Sequence, residues 1–112
     1  MRISDGFKQA QKVFQDKTFT HFKAKTVTGS LGSIITEPDP ELCKAYTANV
    51  QYISDKMIAE EYGLRVGIDI CITSSVALNI KKGEYVEYGA ELYKVTETPR
   101  HDSHCAYYAV KE

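Results

Sequence analysis

Val66, Ile68, Ile70 and Ile72 alternate with Gly67, Asp69, Cys71 and Thr73 in "VGIDICIT". Side chains on a strand point to opposite faces in turn, so a strict period of two marks a half-buried strand. That reading puts Val66, Ile68, Ile70 and Ile72 on one buried face, with Asp69 on the wet one. The same alternation recurs elsewhere. "CKAYTANVQYI", residues 43–53, places Tyr46, Ala48, Val50 and Tyr52 on one face. "KTFTHFKAKTVT", residues 17–28, is rich in the Thr, Phe and Val that suit a pleated surface. "EYVEY" and "ELYKVTE" flank Gly89-Ala90, and "CAYYAV" closes the series at 105–110. Glycine first in a two-residue loop predicts a type II′ hairpin turn, which needs positive φ at that position. About six strands with turn signals between them predict a mainly β fold, a small six-stranded β-barrel or sandwich over residues 17–112.

Two segments depart from the strand pattern. In residues 1–16, Ser4 can cap a helix, and Phe7, Ala10 and Phe14 recur at helical spacing, which predicts a short amphipathic arm over 4–15. "SDKMIAEEYGL" predicts one or two helical turns capped by Ser54 and ended by Gly63. Between the strands, "GSLGSIITEPDPEL" holds two glycines, two serines and two prolines. It predicts a loop over 29–42, long enough to be functional or mobile.

The chain is 112 residues long, the size of one small domain. It holds no apolar run long enough to cross a membrane as a helix, and its first residues are too polar for a secretory signal, so cytoplasmic synthesis is expected. Cys43, Cys71 and Cys105 are odd in number and widely spaced, which predicts reduced, structural thiols. Residues 1–28 carry six Lys/Arg against two Asp/Glu, and residues 29–64 carry two against six. A basic end followed by an acidic middle can attract copies of the same chain or a neighbour.

The most enzyme-like stretch is His101-Asp102-Ser103-His104-Cys105. Its groups crowd one turn, and a zinc site normally draws ligands from two places. A Cys–His nucleophile pair would need an orienting third group that the sequence does not reveal. "GSLGS" lacks the phosphate-loop pattern. The expectation is therefore no metal, no cofactor and no enzymatic activity. Eight tyrosines, five of them in the last third, offer either interface contacts or platforms for stacking on single-stranded nucleic acid. Ordinary cross-strand packing is the third reading.

In order along the chain, a short helix with "FKQAQKVFQDKTFTHFK" precedes the β-rich body. "ANVQYIS" then leads to "EEYG", and a late hairpin reads "KKGEYVEYGAELYKVTETPRHDSH". This arrangement resembles the head-closure and head–tail joining proteins of long-tailed bacteriophages, a connector or minor capsid family, over roughly residues 7–110. A "VQ" strand, a "YG" turn and a hairpin led by Gly-Asp recur in that family. Here the hairpin has Gly83-Glu84, then Val86, Gly89, Tyr93 and Val95. The resemblance implies a β-barrel virion protein forming a homo-oligomeric, dodecameric ring. That ring would sit between the portal and adaptor on one side and the tail terminator or tail tube on the other. It would retain packaged double-stranded DNA without reading its sequence and without a membrane. One inter-strand loop, within 29–42 or 54–65, would close the channel. Phe7, Phe14, Ile34, Ile35, Tyr62, Tyr93 and Tyr107 are the expected subunit or partner contacts. The alternative reading is a small β-barrel module that binds nucleic acid by tyrosine stacking. Charge argues against it, since residues 43–112 carry two more acidic than basic groups.

Overall fold

A computed structural model describes residues 16–100 and 104–112 of the chain. The amphipathic arm expected over residues 4–15, with Phe7 and Phe14, lies outside the described residues, as do His101, Asp102 and Ser103.

Six strands carry the fold: β1 (Asp16–Thr28), β2 (Ile34–Tyr52), β3 (Ile70–Ser74), β4 (Tyr85–Tyr88), β5 (Glu91–Glu97) and β6 (Cys105–Lys111). All neighbours are antiparallel, and the strands close into a ring in the order β1-β2-β3-β6-β5-β4. The seam is short: only Thr20, His21 and Phe22 of β1 pair with Glu87, Val86 and Tyr85 of β4. It is reinforced by His21, whose Nε2 lies 2.8 Å from Glu84 Oε1, an oxygen that also accepts the Lys81 N–H at 2.8 Å.

Alternation decides what the ring holds. Phe19, Ala48, Val50, Ile70, Ile72, Val86, Tyr93, Val95, Tyr107 and Ala109 all point inward and form the main core, joined by Ile80. Each lies two residues from another on its strand or directly across a ladder, except Phe19, whose ladder partner Tyr46 packs against the same core. The Tyr107 hydroxyl accepts the Leu78 N–H at 2.7 Å and donates to the Leu78 carbonyl at 3.1 Å, fastening the connector before β4 to the ring.

A second cluster lies on the outside of β3 and β6, where Ala106, Tyr108, Cys71 and Val110 would otherwise face water. The helix α1 (Lys56–Tyr62) covers them with Ile58, Ala59 and Tyr62, and the Tyr62 and Tyr108 rings stack at 4.6 Å. Burial pushes the Tyr108 hydroxyl up to about 12. The helix is capped one residue later than its sequence suggests. Asp55, not Ser54, accepts the Met57 N–H at 2.8 Å, because the carboxylate sits where the first free donors converge. Gly63, in the left-handed region, ends it as expected.

Three further expectations are corrected. Residues 29–42 are not a loop. Ile34–Leu42 belong to β2, and Thr28↔Ile34 to Ala24↔Pro38 pair as a two-stranded arm beyond the ring, leaving only 29–33 as the tip. Among the described residues the outer edge of this part of β2 has no strand partner, and Pro40 lies in the irregularity of the ladder; edges and bulges are where a sheet tolerates proline. Second, the buried strand starts at Ile70. Val66 and Ile68 are exposed, whereas Asp69 is fully buried. Third, Gly89 and Ala90 both have positive φ, as a type I′ turn requires and a type II′ turn does not. Alanine at that second position costs about 1–2 kcal/mol against glycine's free access to the left-handed region.

Candidate functional site

The β1–β2 arm is the feature that the ring does not need for its own core. Its tip turns through Gly29-Ser30-Leu31-Gly32-Ser33, with Gly32 at positive φ and the Gly29 N–H bonded to the Ser33 carbonyl. Leu31 is 95% exposed and Ile34 76%, and Ile35 is exposed beside them. Each would gain about 1.5–3 kcal/mol on full burial. Scattered surface apolar residues are ordinary, but three within five residues at the end of a projecting ribbon make a concentrated exposed apolar patch.

The arm joins the ring through an irregularity. Between the pairs Phe22↔Cys43 and Ala24↔Pro38, β1 spends only Lys23 while β2 spends Asp39, Pro40, Glu41 and Leu42. Extra residues on one strand bend the ribbon and raise its twist. The excess is folded into a small turn in which the Asp39 carboxylate accepts the Glu41 N–H at 3.0 Å. The bend brings Thr36 to the outer wall of β4. There the Tyr85 hydroxyl donates to the Thr36 carbonyl at 3.0 Å and lies 3.2 Å from its Oγ1.

Among the described residues, both long edges of the arm lack a strand partner, because β3 pairs with β2 only from Asn49 and β4 pairs with β1 only up to Phe22. They carry the devices that discourage indiscriminate strand pairing: Lys23 and Lys25 on β1, Pro38 and Pro40 on β2. Lys25 faces Glu37 at 3.4 Å, an exposed pair worth no more than about 1 kcal/mol. The arm therefore presents its apolar tip, not its edges.

A second exposed apolar surface lies at the other end of β2. Tyr52 is exposed there beside the Arg65–Ile68 turn, which carries exposed Val66 and Ile68. That turn is held rigid from beneath. Asp69 accepts the Arg65 N–H at 2.7 Å, the Arg65 guanidinium at 3.0 Å and the Lys111 N–H at 2.9 Å. Burial alone would raise the Asp69 carboxyl. The Arg65 guanidinium, the two backbone donors and the Arg65 charge outweigh it and hold the group below the usual carboxylate range.

Of the contact residues expected from sequence, Ile34 and Ile35 lie together on the arm, while Tyr62 is half-buried against Tyr108. Tyr93 and Tyr107 are not surface groups. Both point into the ring core, at 1% and 4% exposure, because their alternating positions face inward. Burial, with Tyr52 close by, pushes the Tyr93 hydroxyl up to about 12. Sequence reasoning passed over Leu31, whose signal was a lone large apolar residue between two glycines. It also passed over Tyr85, whose partner is 49 residues away.

Among the described residues, no group of three or more His, Cys, Asp or Glu side chains is placed to hold a metal ion. No helix among them is long and apolar enough to cross a membrane. No family model matches the chain, and no curated protein matches it significantly.

Proposed function

We propose that this chain is a structural protein of a tailed-phage virion. In this reading it forms a homo-oligomeric ring at the head–tail junction, between the portal-adaptor and the tail, and helps retain packaged DNA. The observation that carries the reading is the pairing of a closed six-stranded ring with a projecting, apolar-tipped arm. The motif resemblance set out above supplies the biological setting. Two exposed apolar surfaces at opposite ends of β2 suit a heterologous contact, in which one face of a subunit meets a different face of the next. Repetition of such a contact generates a ring when the rotation closes. The basic start and acidic middle of the sequence favour the same head-to-tail arrangement. Of the two segments expected to close the channel, 29–42 is the better candidate in this reading. It projects as the arm, whereas the helix within 54–65 is packed on the ring wall.

The nucleic-acid reading is weaker on one specific ground. Stacking on bases needs open ring faces. Of the eight tyrosines, Tyr85, Tyr93, Tyr107 and Tyr108 are buried and Tyr52 alone is exposed.

The test separates arm from ring. Leu31→Ser combined with Ile34→Ser removes apolar area that the monomer does not bury, so the melting temperature should change by no more than a few degrees. In an infection or prophage induction supplied only with this variant, the yield of DNA-filled, tail-bearing particles should fall at least tenfold. A wild-type particle yield from the double variant would contradict the proposal.

A further inference from the structure

Tyr85 is the odd residue of β4. Its neighbour Val86 points into the ring core, so Tyr85 points outward, and it belongs to neither hydrophobic cluster. It is nevertheless only 3% exposed. The cross-strand partner Lys94 covers one side, with its ammonium 5.7 Å from the ring centre. Thr36 of the arm meets the hydroxyl. The arm reaches this wall although β2 shares no ladder with β4, and among the described residues the hydrogen bonds that tie it there are those of the Tyr85 hydroxyl.

The other end of the arm is built to bend. Lys23 on one strand and Asp39–Leu42 on the other are missing from the ladder, so no β1–β2 pair crosses that point. Beyond it, the five pairs from Ala24↔Pro38 to Thr28↔Ile34 hold the ribbon together as a unit. A stiff ribbon, an unpaired joint and a single distal tie make a lever with a catch.

We propose that the arm moves as one body about the joint at Lys23 and Asp39–Leu42, and that the Tyr85 hydroxyl is the catch that holds it against the ring. The closed position is the one described above. In the released position the ribbon keeps its own pairing, the Tyr85 ring becomes accessible, and the apolar tip sweeps away from the β4 wall. Two neutral hydrogen bonds are a small tie, so a surface that binds Leu31, Ile34 and Ile35 better in the released position can draw the arm out. The device belongs to the isolated chain and holds whatever the tip engages, so its test is independent of the virion reading.

Spin labels placed at Ser33 on the tip and Glu87 on β4, with Cys43, Cys71 and Cys105 each replaced by alanine, report the arm-to-wall distance by pulsed electron resonance. The labelled parent should give one dominant distance. Tyr85→Phe keeps the ring's bulk and removes both hydrogen bonds. It should enlarge a second, longer distance population about tenfold, with the ring's melting temperature within a few degrees of the parent. Thr36→Val, which leaves the bond to the Thr36 carbonyl in place, should have the smaller effect. An unchanged distance distribution in Tyr85→Phe would overturn the proposal. So would a fall in melting temperature as large as that from a truncated core residue, since Tyr85 would then be part of the wall and not a catch.

Discussion

Asp69→Ala should be among the most damaging single substitutions in the described chain, lowering stability by about 2–4 kcal/mol, chiefly because two backbone donors lose their acceptor. The carboxylate is fully buried and ties three groups from two chain positions: the Arg65 backbone, the Arg65 guanidinium and the Lys111 backbone of β6. Alanine would leave two backbone donors without their acceptor and the guanidinium without its carboxylate, holding only the Lys111 carbonyl. For a domain of this size such a loss moves the melting temperature by on the order of 15 °C. The pH dependence has a definite sign. The folded carboxyl titrates below its unfolded value, so its contribution is fully present above the unfolded carboxylate pKa of about 3.9 and is lost as pH falls through the folded value. Thermal melts from pH 7 to pH 2 should show the wild-type advantage over Asp69→Ala shrinking only in the acid range. A gap that stays constant to pH 2 would remove the charged network as its source.

Ile70→Ala is expected to cost about 2–5 kcal/mol, while Val66→Ala and Ile68→Ala should cost about 1 kcal/mol or less. Ile70 is 0% exposed at the centre of the ring core, paired between Tyr52 of β2 and Ala109 of β6. Val66 and Ile68 lie on the turn above it with much of their side chains in water. Chemical denaturation of the three variants separates the cases. Equal losses at Ile68 and Ile70 would mean that the strand begins earlier than Ile70.

These two positions mark where the sequence stopped being readable. Alternation over 66–73 gave the correct face for Ile70 and Ile72, because a strand has only two faces. The pattern could not reveal that Val66–Ile68 spend the same alternation on a turn, since a turn can carry apolar residues above a buried carboxylate. Asp69 was assigned to water by the same rule. Its partners are the backbone and guanidinium of Arg65 and the backbone of Lys111, 42 residues away, and no local pattern announces such a site. The ring strands were legible because cross-strand packing repeats every second residue. The arm was not, because Gly, Ser and Pro at 29–42 signal irregular backbone, and only the register with Ala24–Thr28 turns Ile34–Leu42 into a strand. Of the exposed apolar tip, Ile34 and Ile35 were visible as apolar residues in a polar segment. Tyr93 and Tyr107 were misread because tyrosine serves a core and an interface equally well, and only the direction of the side chain separates the two.

Cryo-electron microscopy of purified particles containing the chain is the sharpest test of the proposed ring at the neck of a tailed particle. The expected result is a closed ring of copies between head and tail, with the six-stranded body forming the wall and the Leu31 tips buried against a neighbouring subunit or tail component. Particles that lack the chain, or copies seated elsewhere with the Leu31 tips in open solvent, would contradict it.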